Sequence, residues 1–335
     1  MPEPADLPLA LMRMLNGFQV SQALSAVVTL RIPDRLASGP RSSEQLAADT
    51  ETHAPSLYRL LRAVAALGVF EERPGRSFAA TPLSELLRSD RPLSLAGWAT
   101  FIGRPYYWQA WSHLLHSVRT GETAFTDLNG VDVWAYRAER PDESAIFDAA
   151  MTSLSRFQAI ALLAGYDFAR FRRIADIGGG RGALLAAILQ KHTGAEGILF
   201  DQPHVVAGAG ELLRGAGVDG RCRVVGGSFF ESVPEADAYL LRGVLHDWDD
   251  ERSAAILRTI HAAAPSGARL LVIEQLIEPP NQGAPAKLSD LNMLVSPGGR
   301  ERTREEFAAL FEAGGFTLTG VHAAGRTYVI EGVPA

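Results

Sequence analysis

Cysteine is almost missing from this sequence. Cys222 is the only one among 335 residues. That excludes an internal disulfide and a thiolate metal cluster. Long apolar runs are missing as well, and none approaches the length that spans a membrane. The opening residues, Met1-Pro2-Glu3-Pro4-Ala5-Asp6, lack the basic start of a secretory signal, so the expectation is a cytoplasmic protein. There is no excess of positive charge. Lys and Arg number 32 against 38 Asp and Glu, giving a net charge of −6 and a pI of about 5.8. This disfavours an extensive phosphate-binding surface. Internal repeats and low-complexity tracts are absent too. What remains is an ordinary globular composition, 47 % hydrophobic and 21 % charged, in a chain long enough for two domains.

The most informative stretch is Asp176-Ile177-Gly178-Gly179-Gly180-Arg181-Gly182. An apolar run, Arg173 to Ile177, precedes it, and a helical pattern from Ala183 to Leu189 follows. The layout is strand, glycine turn, helix. Glycine lets a ligand approach the backbone closely. The new helix offers unpaired N–H groups and a partial positive charge to an anion. Two ligands compete for the turn. Gly178-x-Gly180-x-x-Ala183 fits a dinucleotide fingerprint weakly. Gly178-x-Gly180-x-Gly182 behind Asp176 suits S-adenosylmethionine better, its carboxylate at the helix start and its ammonium near an acid such as Asp176. The next strand, Gly197 to Phe200, ends in Asp201, which can accept ribose hydroxyls in either case.

Ahead of this turn the chain reads as helical. Leu9 to Leu30 is apolar on more than one face, a hint of a shared subunit surface. Asp34 to Pro40 reads as a turn. Ser42 and Gln45 form a capping box for a short helix. A helix follows from Ser56 to Leu67, with Pro55 in its first turn. A hairpin then runs through Val69–Glu72, Pro74-Gly75 and Ser77–Thr81. Three helices and a hairpin suggest a winged helix, which raises DNA binding as a second class of function. Against it, the second helix of the pair offers only Arg59 and Arg62 as cations, and the wing carries Glu71-Glu72. A helical dimerisation module is the plainer reading. From Pro92 to about Tyr166 helices alternate with aromatic residues, most of them core; Phe101 and Trp108 are candidates to line a pocket for a flat ligand.

From Phe171 onward strands and helices alternate. Strands are expected at Arg173–Ile177, Gly197–Asp201, Cys222–Val225, Ala238–Leu241, Arg269–Glu274, Phe316–Val321 and Thr327–Glu331. The fold class is α/β, a Rossmann-like, mostly parallel sheet behind an N-terminal helical, winged-helix domain. The expected division is 1–92, 93–166 as a linker and pocket region, and 167–335. Ligands of such sheets bind beyond the strands' carboxyl ends. Just past the fourth strand comes Leu245-His246-Asp247-Trp248-Asp249-Asp250. A histidine there has the pKa range of a general base. Either Glu274 or Glu301 can hold its ring in one tautomer. A metal held by His246, Asp247, Asp249 and Asp250 lacks a recognised ligand spacing, so none is expected.

Five motifs together resemble the caffeate-type, plant-style family of S-adenosylmethionine-dependent O-methyltransferases, in its bacterial natural-product branch. They are Asp176–Gly182, Phe200–Val205, Gly226-Gly227-Ser228-Phe229-Phe230, Leu245–Asp250 and Pro297–Thr303. The resemblance covers nearly the whole chain. It implies that His246 deprotonates the acceptor hydroxyl between the acids Glu274 and Glu301. It implies S-adenosylmethionine as cofactor, held by Asp176, Gly178, Gly180, Asp201, Gln202, Ser228 and Phe229. Arg242 would lie near the adenine end, Ser155 near the methionine end, and Trp248 over the cofactor. Phe147, Met151, Asn292 and Met293 fall where the family builds its acceptor pocket. The implied assembly is a homodimer acting on a small aromatic molecule, with no nucleic acid or membrane partner. Many relatives carry Asp where this chain has Ser228, which still offers one donor and acceptor. Some bacterial members keep the cofactor site yet hydroxylate or decarboxylate.

Overall fold

In a computed structural model that describes residues 6–335, the chain divides into two compact units. One comprises the residues up to Trp108 together with Ala145–Leu154; the other comprises Gln109–Ser144 and Ser155–Ala335. The region 93–166 is therefore not a module of its own. The single helix Pro141–Gly165 contributes residues to each unit. The opening segment read for a leader lies, apart from Asp6, outside the described residues.

In the first unit the expected Leu9–Leu30 helix is two, Leu7–Leu15 and Gly17–Thr29. They part at Asn16-Gly17, where glycine is a poor helix former. The first of them buries none of its residues. The turn expected from Asp34 begins two residues later, at Leu36, because Ile32–Arg35 is a short helix. The capping box is present, with Ser42 Oγ accepting from the Gln45 amide and Gln45 Oε1 from the Ser42 amide. The helix Ala54–Ala65 opens with Pro55 in its first turn and buries Leu57, Leu61 and Val64, one stripe at helical spacing. The hairpin is β2 (Phe70–Arg73) and β3 (Ser77–Ala80), joined by an unanticipated two-residue strand β1 (Arg41–Ser42) in the order β1-β3-β2. Val27, Ile32, Leu46, Leu61, Phe70 and Phe78 form its core.

The second unit is built on seven strands: β4 (Arg173–Ile177), β5 (Glu196–Asp201), β6 (Cys222–Gly226), β7 (Ala238–Arg242), β8 (Arg269–Glu274), β9 (Phe316–Ala324) and β10 (Thr327–Pro334). Their order is β6-β5-β4-β7-β8-β10-β9. The first five pair in parallel, and β10 inserts antiparallel between β8 and β9. Successive residues of β8 face opposite cores, Leu271 and Ile273 into one, Leu270 and Val272 into the other. That burial on both faces is why these strands read as continuous apolar runs. The chain winds outward through β4, β5 and β6, then returns to the other side of β4 as β7. The reversal leaves a crevice at the carboxyl ends of β4 and β7, the usual ligand position in open α/β sheets.

Candidate active site

The glycine turn behind β4 is built from backbone. Gly178, Gly180 and Gly182 all have positive φ, at 71°, 59° and 81°. Only glycine adopts such angles cheaply in succession. The helix Ala183–Lys191 that follows has no side-chain cap at Gly182, and the Leu185 amide in its first turn is bonded to the Asp176 carboxylate beneath the loop. Asp201, at the end of β5, turns back on the loop. Its Oδ2 accepts from the Gly180 amide at 2.8 Å and its Oδ1 from the Gln202 amide at 2.6 Å. A carboxylate has further lone pairs beyond these two bonds, so it can also accept hydroxyls. Gln202 itself is exposed. Phe229 borders the loop, since a Cβ on Gly178 would stand 3.8 Å from its ring. Ser228 Oγ accepts from the Phe230 amide at 3.3 Å. The glycine cradle and the strand-end acid are thus side by side, joined by the Gly180–Asp201 hydrogen bond.

Two of the residues expected at the cofactor are engaged within the protein. Asp176 does not face outward towards an ammonium group. It is 2 % exposed and tucked under the turn, where a Cβ on Gly179 would fall 2.7 Å from its Cγ. Burial raises its pKa to about 7, with Arg242 opposing the rise and Asp201 adding to it. Arg242 and Ser155 were expected at opposite ends of the cofactor. They touch: Arg242 Nη1 donates to Ser155 Oγ at 2.9 Å, and its Nε donates to Gln158 Oε1 at 2.9 Å.

The second half of the site is the loop after β7. Leu245–Asp247 makes one 3₁₀ turn that presents His246. Its Nδ1 lies 2.9 Å from Glu301 Oε1. Ser289 Oγ donates to the same oxygen at 2.7 Å, and the Glu301 amide donates to Asp290 Oδ1. The sequence left Glu274 and Glu301 as equal candidates to orient the ring; Glu301 does so. Glu274 holds the backbone instead, its Oε1 accepting from the amides of Val244, Leu245 and His246 at 3.2, 2.8 and 3.2 Å. Both acids are 2 % exposed. Burial by itself would lower the His246 pKa. The carboxylates of Asp247, Glu301 and Glu274 outweigh it and raise the value to about 10. Burial pushes Glu274 up to about 7 and Asp247 up to about 6, while Glu301, paired with the imidazole, sits below the usual carboxylate range. Ligand atoms of His246, Glu274 and Glu301 lie within 4.8 Å of one another, close enough for a metal ion as well as for a proton.

Several residues that hold this loop had no distinct signal. Arg302 is fully buried. Its Nη1 donates to Leu245 O at 3.0 Å, its Nη2 to Trp248 O at 2.9 Å and Ser253 Oγ at 3.2 Å, and its Nε to Asp250 Oδ1 at 2.8 Å. One guanidinium thus grips the chain on both sides of His246 and is covalently next to Glu301. Gly299 permits this approach, because a Cβ there would lie 2.1 Å from His246 O and 2.4 Å from the Trp248 amide. Asp247 Oδ1 stands 3.7 Å from His246 Nε2. Motif membership was the only hint for Arg302 and Asp247, and Ser289 and Asp290 had none.

Trp248 packs between Trp134, stacked at 6.1 Å, and Phe230, edge-on at 5.0 Å, with Arg252 over its ring. Of the pocket positions, Asn292 and Met293 lie in this unit; Trp111 Nε1 donates to Asn292 Oδ1 at 3.0 Å, and Met293 is buried. Phe101, Trp108, Phe147 and Met151 belong to the first unit. Phe101 is 4 % exposed and packs on Trp98, Tyr107 and Phe147, so it is core there. Trp108 is anchored by its indole N–H on Ile102 O and meets Phe18 edge-on.

No helix among the described residues is long and apolar enough to cross a membrane. Residues 111–317 match the O-methyltransferase domain, and residues 12–90 match the O-methyltransferase dimerisation domain. Phenazine O-methyltransferase of Lysobacter antibioticus is 44 % identical over 312 residues, 93 % of this chain and 91 % of its own length. The solved mitomycin 7-O-methyltransferase is 40 % identical, covers 99 % of this chain and 98 % of its own, and superposes with a TM-score of 0.89. An O-methyltransferase from neocarzinostatin biosynthesis, solved with S-adenosylmethionine and 2-hydroxy-5-methyl naphthoic acid, is 32 % identical over 94 % of this chain and 96 % of its own, with a TM-score of 0.78. The chain belongs to the S-adenosylmethionine-dependent O-methyltransferases of natural-product biosynthesis.

Proposed function

We propose that the acceptor is a hydroxyl on a small aromatic molecule, that His246 removes its proton, and that no metal ion takes part. The observation that carries this reading is the half-buried contact of His246 Nδ1 with Glu301 Oε1 at 2.9 Å. In the neutral ring that contact keeps the proton on Nδ1 and leaves Nε2 as the acceptor. Nε2 lies beside Gly243, where a Cβ would stand only 3.4 Å away, so glycine keeps that edge of the ring clear. S-adenosylmethionine, when bound, supplies a methyl group already activated by its sulfonium. The glycine turn and Asp201 would hold it, and the His246 loop orients the acceptor. As the hydroxyl proton passes to Nε2, Asp247, Glu301 and Glu274 stabilise the imidazolium.

A histidine pKa of about 10 is close to that of a phenol, about 10. Proton exchange between the two is then nearly balanced. With its pKa raised, only the neutral fraction of the ring can take the proton near neutral pH, so an acceptor with an acidic hydroxyl is favoured. The neocarzinostatin relative, solved with a hydroxylated naphthoic acid, supports this class of acceptor. The positive imidazolium supplies the charge stabilisation that a metal would otherwise give. We infer a homodimer from the dimerisation domain and from the exposed apolar residues of the helix Leu7–Leu15, among them Leu11, Met14 and Leu15. Arg62 and Arg76 are engaged over the Tyr58 ring and the wing carries Glu71 and Glu72, which supports an absence of nucleic-acid binding.

The test is methyl transfer from methyl-labelled S-adenosylmethionine to a panel of phenols and hydroxyquinones, with His246→Ala alongside. Label in the wild-type product alone supports the reading. Label in both proteins sinks the base assignment. Bound cofactor with an oxygen-dependent product and no label moves the chain to the hydroxylating branch. Activity that EDTA abolishes and a divalent ion restores would overturn metal independence.

A further inference from the structure

A second group of histidine and carboxylate lies outside this site. His113 caps the start of the helix Leu114–Thr120, and His116 sits one turn along it. Asp127 lies in the next short helix, Ala124–Asn129. Gly121, with φ of 79°, makes the sharp turn that folds the second helix back on the first. One ligand atom from each residue lies within 4.8 Å of the other two. His113 Nε2 is 2.9 Å from Asp127 Oδ2, and His116 Nδ1 is 3.8 Å from the same oxygen. The two imidazoles are stacked, with ring centres 4.9 Å apart and planes 12° from parallel, so both direct a nitrogen at one carboxylate.

Ligands at about 2.0–2.1 Å from a tetrahedral zinc ion stand roughly 3.4 Å from each other. The two separations from Asp127 bracket that edge, so small side-chain rotations bring all three atoms onto one ion. The far nitrogen of His116 adds an independent sign. Nε2 is buried without a hydrogen-bond partner, 3.9 Å from Glu122 Oε2. A metal-bound imidazole commonly donates its other N–H to a carboxylate, which fixes tautomer and ring plane. Glu122 is placed for that role, with Nδ1 of His116 left for the ion. Two imidazoles and one carboxylate suit late first-row divalent ions rather than Mg²⁺ or Ca²⁺, which prefer oxygen.

We propose that His113, His116 and Asp127 form a binding site for one divalent transition-metal ion such as Zn²⁺, with Glu122 orienting His116 and the remaining positions filled by water. His113 and Asp127 are 38 % and 43 % exposed at their side chains, so the ion would exchange with solvent. The site stands apart from the methyl-transfer reading and needs none of its residues.

Calorimetric titration of EDTA-stripped full-length protein tests it, with Zn²⁺, Co²⁺, Ni²⁺ and Cu²⁺ in turn. One ion per chain is expected, with affinity rising from Co²⁺ through Ni²⁺ to Cu²⁺. His116→Ala and Asp127→Asn should abolish that event, and Glu122→Gln should weaken it by about 10–100-fold. His113→Ala, altered at the surface, gives a further variant should Asp127→Asn misfold. His246→Ala separates this site from the other cluster and should leave the stoichiometry unchanged. Binding that survives His116→Ala and His113→Ala, binding that disappears in His246→Ala, or no binding by the wild type would each overturn the proposal.

Discussion

The two halves of the catalytic rim are built by opposite means. The β4–β5 half is mostly backbone: three glycines in left-handed conformations, a helix start without a side-chain N-cap, and one strand-end acid that accepts from the Gly180 amide. The β7–β8 half is side chain: an imidazole held by Glu301, a loop held by Glu274 and Arg302, and a glycine, Gly299, that lets the segments touch. The first half is local in sequence, within about one strand–helix–strand unit. The second draws on residues separated by 28 to 57 positions. A half made of backbone tolerates side-chain changes around it, whereas a half made of distant side chains fails when any one of them is lost.

Substitutions in the two halves should therefore separate cleanly. The largest effect is expected from His246→Ala, a fall in turnover of about 10²–10⁴-fold with cofactor affinity nearly unchanged. Calorimetry and single-turnover rates read the two separately. Arg302→Lys keeps a charge but cannot bond Leu245 O, Trp248 O and Asp250 at once. A displacement of the base by about 1 Å costs on the order of 10²-fold, so kcat should fall by that much with cofactor affinity little changed. An equal loss in kcat and in cofactor affinity would mean that Arg302 supports the whole unit rather than the base.

Asp201→Ala tests the other half. It removes a charged acceptor worth about 1.5–3 kcal/mol, so S-adenosylmethionine should bind roughly 10–100-fold more weakly while bound enzyme still turns over. Unchanged affinity would remove Asp201 from the cofactor site.

The smallest and most diagnostic change is in pH dependence. The raised His246 pKa means that the ring holds its proton well above the ordinary histidine range, so kcat/KM should climb with pH through and beyond neutrality towards about 10. Glu301→Gln removes one of the carboxylates that favour the protonated ring. The His246 pKa then falls and the rising limb moves to lower pH. A limb that stays in place, or moves upward, would show that the titrating group is not His246.

The fold was legible because its signals are local. The central strands, buried on both faces, read as apolar runs, and all seven of β4–β10 were found, most within a residue or two at each end. The glycine turn was legible for the same reason, since positive φ demands glycine at the position itself. The helix break at Asn16-Gly17 went unseen because apolar residues continue across it, and β1 because two residues carry no period. The carboxylates near His246 were named from sequence, but their division of labour was not. Glu274 and Glu301 are the same residue type, and only the packing decides which meets the ring and which meets the backbone. Asp176 and Arg242 were assigned to the cofactor by motif, but the burial of one under Gly179 and the contact of the other with Ser155 had no signal in the sequence.

By itself, then, the sequence determined the α/β class, the strand order of appearance, the glycine turn with its strand-end acid, and the histidine beyond β7, each a property of neighbouring residues. Tertiary structure alone decided that Glu301 rather than Glu274 orients His246, that Arg302 grips both sides of its loop, and that three carboxylates raise its pKa. Those outcomes depend on which distant side chains are brought within about 3 Å in a dry interior, where electrostatic interactions are strongest, and no local pattern encodes that distance.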